Sequence, residues 1–154
     1  MKAVVQRVSQ ANVSVGGQVV GSIGQGLLVL LGVAEKDTFA EAEWLVKKIL
    51  DCRIFSDEEK KMNLSVLDIH GGVLVISQFT LLANVRKGNR PSYVEAAAPD
   101  KAQDLYNYCL KRMKTEVHDN LQSGVFGAMM EVSLTNDGPV TIVFDTDIKN
   151  KKDE

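Results

Sequence analysis

Three short stretches of the chain hold groups able to do chemistry. The first is "ISQFTLL", residues 76–82, where an apolar run ends in Ser77, Gln78 and Thr80 around Phe79. If the backbone leaves a strand ladder there, its N–H groups are free to point at a ligand and to stabilise a developing oxyanion. The plainer alternative is a buried strand that reaches solvent and turns polar. The second is "NVRKGNRPSY", residues 84–93, with Arg86, Lys87 and Arg90 in one short loop bearing Gly88 and Pro91. Three cations so placed can contact several phosphates, arginine in bidentate fashion, and Tyr93 can stack. An ordinary solvated loop has the same composition. The third is "NDGPVT", residues 136–141, flanked by strand-like runs on both sides. As a turn, Asn136-Asp137-Gly138 reverses the chain and Pro139 guards a strand against unwanted pairing. As a ligand-facing element, glycine brings bare backbone close to a ligand and proline stiffens the carbonyls beside it.

Other chemistries find less support. Neither Ser77 nor Thr80 has a histidine near it in sequence, so a Ser/Thr–His pair depends on the fold bringing His70 or His118 close. The two histidines show no ligand spacing, and the sequence predicts no metal site and no cofactor. Cys52 and Cys109 lie far apart, each on a helix-like apolar face, and read as reduced, buried thiols of a cytosolic protein. No P-loop or dinucleotide glycine motif is present. A formal charge of −2 announces no polyanion partner, so any such partner must be held by a local patch. The apolar run "GLLVLLGVA" (26–34) is about half the length of a membrane span, and the first residues lack the apolar core of a signal peptide. A cytoplasmic protein with no membrane partner is expected.

The elements that must position these groups fit one domain of 154 residues. "KAVVQRV" (2–8) reads as a strand, and "NVSVGGQVVGSI" (12–23) as a hairpin turning at Gly16-Gly17. "GLLVLLGV" and "GGVLVISQFTLL" (71–82) read as strands buried on both faces. Between them, Ala42, Leu45, Val46, Ile49 and Cys52 form a helical stripe, begun by a Thr38/Glu41 capping-box pattern. "SDEEKKMNLS" reads as a charged surface loop, and 83–98 as an ordered connection. Pro99 opens a second helix whose face is Ala102, Leu105, Tyr106, Cys109, Met113 and Val117. The expected architecture is α+β: a mostly antiparallel, curled or barrel-like sheet with two packed helices, and no βαβ repeat. The domain is expected to span 1–148, followed by a frayed tail over 149–154.

Taken together, "SQFTL" (77–81) and "NDGPVT" (136–141) resemble the two signature motifs of the D-aminoacyl-tRNA deacylases, the second of the form Asn-x-Gly-Pro-[Val/Phe]-Thr. "VVQRVSQANVSV" and "RKGNRPSY" are similar to that family in order and spacing, so the resemblance covers the chain to about Asp147. It implies a homodimer with a barrel-like sheet and active sites at the subunit interface. It implies a cis Gly138-Pro139 bond in a loop that enters the partner's site, where its carbonyls receive the substrate's α-ammonium. The implied reaction is hydrolysis of the ester joining a D-amino acid to the terminal adenosine of tRNA. With ammonium and carbonyl pinned, an L-side chain would run into the Gly-Pro backbone, so rejection is steric. Glycine has no side chain and is expected to pass, which makes glycyl-tRNA a secondary substrate.

On this resemblance, the backbone N–H groups around Gln78, Phe79 and Thr80 polarise the carbonyl, and Ser77 with Gln78 holds the strand end in shape. Water assisted by the ribose 2′-hydroxyl is preferred over Thr80 as nucleophile, since no base activates that hydroxyl. Arg7 braces the Gly-Pro loop, and Phe126 with Met129 or Met130 cradles the adenosine. Arg86, Lys87 and Arg90 would hold tRNA phosphates. Two rival classes remain: a non-catalytic RNA-binding module built on the same loops, and a general esterase acting covalently through Ser77 or Thr80.

Overall fold

β1 (Lys2–Val15) is one unbroken strand, where the sequence suggests a strand over 2–8 and a separate hairpin arm. In this computed structural model, which describes residues 1–150, the two halves of β1 serve two different cores. Ala3 and Val5 face one, whereas Val8, Ala11 and Val13 face the other. The change of face falls where Ser9 and Gln10 are exposed and the pairing register shifts, which is why the alternation in sequence is imperfect.

The expected hairpin is present. β2 (Gln18–Ile23) returns along β1 across Gly16 and Gly17, whose φ values of 56° and 81° suit a tight two-residue turn. β3 (Gly26–Gly32) pairs antiparallel with the first half of β1, Ala3 opposite Leu31. α1 (Phe39–Leu50) starts at the expected capping box, with Thr38 accepting from the Ala40 N–H and Glu41 reaching back to the Thr38 N–H at 2.7 Å. Cys52 lies beyond the helix end and is half-buried, so its expected place on the apolar stripe is corrected; Cys109 is buried as read. The charged segment after α1 contains a small hairpin, β4 (Phe55–Ser56) with β5 (Met62–Leu64).

β6 (Gly72–Ser77) runs parallel to β3, and β7 (Leu121–Ser123) parallel to β6. α2 (Pro99–Val117) begins at its proline and buries all six residues of the predicted face. Each helix therefore sits on a crossover between parallel strands, a βαβ arrangement that corrects the expectation of none. The reason is that strand direction is set by long-range pairing, which local periodicity does not carry. β8 (Glu131–Asp145) pairs antiparallel with β1 over nearly its whole length. The result is an α+β fold with a mixed, nearly closed, barrel-like sheet and two helices.

Two cores hold it together. Leu27, Val29 and Leu31 of β3, with Val73 and Val75 of β6, pack under Leu45, Ile49, Leu105 and Met113 of the helices. Leu28, Leu74 and Ile76 point the other way, into the curl made by β2 and the second half of β1. Both faces of the central parallel pair are thus dry, at about 1.5–3 kcal/mol for each fully buried large side chain. At the chain start, the Met1 ammonium is buried against Asp37 Oδ1 at 2.7 Å and Thr146 Oγ1 at 2.6 Å. A 3-10 turn spans Thr146–Asn150. The rest of the tail expected to fray, 151–154, lies outside the described residues. No helix among the described residues is long and apolar enough to cross a membrane.

Candidate active site

β6 stops at Ser77, and the next residues, Phe79–Leu82, wind into a 3-10 turn instead of continuing the expected strand to 82. The Gln78 N–H makes the last ladder bond, to Leu31 O at 2.8 Å. The Phe79 and Thr80 N–H groups have no acceptor among the described residues, as is usual for the first residues of a helical turn. Gln78 Nε2 donates to Thr80 Oγ1 at 2.6 Å, so one side chain clamps the other across the strand end. Of the three candidate backbone donors, Gln78 is committed to the sheet, and those of Phe79 and Thr80 are left free.

No histidine reaches this end. His70 precedes β6 and accepts from Asn120 Nδ2 through its carbonyl at 3.1 Å, which puts His70 and the neighbouring His118 at the other end of the strand. At about 3.3 Å per residue, the length of β6 separates them from Ser77 by roughly 17 Å. A Ser/Thr–His pair is therefore absent within the described residues. No cluster of three metal-ligating side chains occurs among them either.

The Gly-Pro segment departs most from its turn reading. Both halves of β8 pair with β1 in the same direction, so the chain is not reversed at 136–141. Asn136 lies opposite Val8 and Thr141 opposite Gln6, which leaves Asp137 to Val140 bulged out of the ladder. A turn would need the flanking runs to pair with each other, and the unbroken β1 claims both. The bulge sits where β1 and β8 pass from one core to the other. The Gly138-Pro139 bond is cis, and both residues are exposed.

Three side chains surround this bulge. Asn136 Oδ1 accepts from the Val140 N–H at 2.7 Å, while its Nδ2 donates to Val140 O at 3.3 Å and Thr141 Oγ1 at 3.1 Å. Arg7 Nε donates to Asp137 O at 2.9 Å, and Arg7 Nη1 to Ile54 O at 2.7 Å. The Asp137 carboxylate lies 3.6 Å from the same guanidinium. The sequence alone presents Asn136 only as a turn former. Its clamp has a recognisable signal, an Asx residue just ahead of Gly-Pro.

Ser77, Leu31, Ala3 and Phe144 form one row across β6, β3, β1 and β8. Gly138 lies beside Arg7, four residues further along β1 and three strands from β6. With strands about 4.8 Å apart and about 3.3 Å per residue, that is on the order of 20 Å from Gln78–Thr80 of the same chain. The two motifs do not meet within one chain.

The loop after the 3-10 turn does lie beside the strand end. Asn84 and Ser92 exchange backbone hydrogen bonds of 2.8 and 2.9 Å, closing a projecting finger that carries Arg86, Lys87 and Arg90. Phe126 follows β7 toward the same end of the sheet as Ser77, since β7 is parallel to β6. It is half-buried and packs on Tyr106 at 5.7 Å. Met130 packs against the second core, and Met129 is 92% exposed.

Residues 4–145 match the family described as D-Tyr-tRNA(Tyr) deacylase. The chain belongs to that family. It is 53% identical to the D-aminoacyl-tRNA deacylase of Thermosipho melanesiensis, covering 95% of this chain and 97% of that one. To the D-aminoacyl-tRNA deacylase of Opitutus terrae it is 58% identical over the same shares. The solved structure of a c-Myc DNA Unwinding Element Binding Protein is 45% identical, with a TM-score of 0.90 over 94% of this chain and 98% of that one. Family membership covers both motif segments, 77–81 and 136–141, and the finger between them.

Proposed function

We propose that this chain, an enzyme of the deacylase family, hydrolyses the ester between a D-amino acid and the terminal adenosine of tRNA and rejects L-aminoacyl-tRNA by shape. The observation that carries the reading is the pair of backbone N–H groups, Phe79 and Thr80, left without partners among the described residues where β6 ends. A tetrahedral intermediate gathers negative charge on the former carbonyl oxygen, and fixed donors lower its energy without reorganising. Loss of one such donor costs about 3 kcal/mol, or roughly a hundredfold in rate. Ser77 and the Gln78–Thr80 clamp hold the donors in place. The Thr80 hydroxyl already accepts a hydrogen bond and has no base beside it, so water assisted by the ribose 2′-hydroxyl serves as nucleophile.

Chirality is read by the bulge of a second copy. Gly138 and Pro139 offer bare main chain, and Arg7 with Asn136 prevents it from swinging away. Its carbonyls take the α-ammonium while the donors take the ester carbonyl. With two substituents pinned, a D-side chain points outward and an L-side chain meets backbone, a repulsion that binding energy elsewhere does not repair. Glycyl-tRNA passes the same gate and is a secondary substrate. Phe126 and a neighbouring methionine hold the adenosine, and Arg86, Lys87 and Arg90 hold phosphates. The enzyme works as a homodimer in the cytoplasm, and its domain is residues 1–148.

The test is release of free amino acid from D-tyrosyl-tRNA, L-tyrosyl-tRNA and glycyl-tRNA. D-Tyrosine and glycine are expected to be freed, and L-tyrosine to stay attached. Thr80→Ala removes the hydroxyl that Gln78 clamps but keeps both backbone donors, so activity is expected to fall only in part, whereas a Thr80 nucleophile would lose all of it. Tight tRNA binding with no release of D-tyrosine would leave a non-catalytic RNA-binding module in place of an enzyme.

A further inference from the structure

The finger that projects beside the strand end has an aromatic root. Tyr93 follows directly on the Asn84–Ser92 closure, and its ring stands edge-on to Phe79 with centroids 5.1 Å apart and planes at 68°. An edge-to-face contact occupies one face of one ring only, so open π-faces remain. Both side chains are exposed, Phe79 at 57% and Tyr93 at 38%, and the Tyr93 hydroxyl makes no hydrogen bond among the described residues. Phe79 also supplies one of the two free backbone donors, so the aromatic pair adjoins those donors directly.

Beyond this root, the finger is cationic. Arg86, Lys87 and Arg90 are exposed, and the ion pairs among the described residues involve none of them. On a chain of formal charge −2 they are a local cation patch without partners among the described residues. Aromatic faces followed by a run of unpaired cations form the track that single-stranded nucleic acid takes, bases stacking while the backbone follows the charge.

We infer that Tyr93, braced by Phe79, is a positioning residue that stacks an unpaired nucleobase just upstream of the terminal adenosine, so that the finger measures whether the ester sits on a polynucleotide. This rests on the deacylase reading, because the ester at Phe79 and Thr80 fixes where the strand begins. An unpaired 3′ end then has a direct path over the aromatic root and toward Arg86, Lys87 and Arg90. An acidic protein segment would use the cations and leave the rings idle, so it is the less fitting occupant.

The experiment compares D-tyrosyl-tRNA with D-tyrosyl-adenosine, which has the same ester and no upstream base. Tyr93→Ala is expected to raise KM for the tRNA about five- to a hundredfold with kcat nearly held, the range measured for losing one base–aromatic stack. On D-tyrosyl-adenosine the penalty is expected to shrink several-fold, and Tyr93→Phe to restore the wild-type KM on both. Lys87→Ala with Arg90→Ala is expected to flatten the salt dependence of KM for tRNA only. Equal penalties on the two substrates would mean that Tyr93 merely props Phe79, and overturn the inference. Failure of the wild-type enzyme to hydrolyse either substrate would instead overturn the deacylase reading itself.

Discussion

At the scale of single residues, the candidate site depends on places where a side chain is missing as much as on those present. A Cβ on Gly138 would stand 2.8 Å from Val140 Cγ2, 3.0 Å from the Val140 nitrogen and 3.1 Å from Arg7 Nη2, at a φ of +139° that side-chain-bearing residues avoid. Gly138→Ala is expected to cost about 1–3 kcal/mol in local strain and to lower kcat/KM on D-tyrosyl-tRNA at least tenfold. Gly16→Ala is the control: its φ of +56° is also strained but its surroundings are open, so stability falls by about 1 kcal/mol and kcat/KM stays put. Equal activity of the two variants would remove the gate from the mechanism. Two buried groups on α2 contribute to the loss of stability in base. Burial pushes the Cys109 thiol up to about 12 and the Tyr106 phenol likewise to about 12. The unfolded chain releases the Cys109 proton from about pH 9 and the Tyr106 proton from about pH 10, whereas the folded chain holds both up to about pH 12. Stability is therefore lost as pH rises through that window, by up to about 1.4 kcal/mol per pH unit for each group. Urea unfolding at pH 8, 9.5 and 10.5 checks this, and Cys109→Ala is expected to flatten the earlier part of the decline; parallel declines for both proteins would contradict it.

At the scale of elements, the parallel pair β3–β6 is the platform that ends at the donors, and its weakest tolerance lies at the opposite end. A Cβ on Gly26 would fall 1.9 Å from Gly72 O, a backbone atom that cannot move without parting the strands. Gly26→Ala is expected to destabilise by more than about 3 kcal/mol, whereas Gly24→Ala, with nothing within 4 Å, shifts the urea midpoint little. The same platform shows what a sequence can carry. Helix α1 is legible because Thr38 and Glu41 announce its start and the apolar residues keep a 3.6 period, and α2 because Pro99 does likewise. The β1–β2 hairpin is legible because Gly16-Gly17 can be little else. The parallel pairing of β3, β6 and β7 is not, since nothing local in "GLLVLL" or "GVLVIS" states direction, and β7 is only three residues long. At the end of β6 the Gln78 N–H bonds to Leu31 and the Gln78 side chain clamps Thr80; the polar residues 77, 78 and 80 hint at this end, but Leu81 and Leu82 resume the apolar run and hide where the strand stops. The Gly-Pro bulge is legible as a special element but not in its geometry, because turn residues also serve where a strand must let out extra chain without reversing.

At the scale of the whole molecule, one chain holds the end of β6 and the Gly-Pro bulge on the order of 20 Å apart, a separation that a second copy would resolve. Among the described strands β8 pairs only with β1, so one edge of a 15-residue strand is unpaired, and Leu134 and Val143 are exposed along it. Long open edges invite partners, and a twofold dimer would cover both copies alike. Each site would then take its donors from one subunit and its Gly-Pro bulge from the other, a division that mixing can reveal. Thr80→Pro removes one backbone donor and sits in the first turn of the 3-10 segment, where proline is tolerated; Gly138→Ala spoils the bulge. Each variant alone carries the same defect in both of its sites and is expected to be nearly inactive. After unfolding and refolding of an equal mixture, about half the dimers are mixed, and each mixed dimer has one site built from two intact halves. Activity on D-tyrosyl-tRNA is expected to return to about a quarter of the wild-type value, while a chain carrying both substitutions, refolded with itself, stays inactive. If donors and bulge served the same chain, the mixture would recover nothing, and sedimentation of the active species as a monomer would likewise rule out a site shared between subunits.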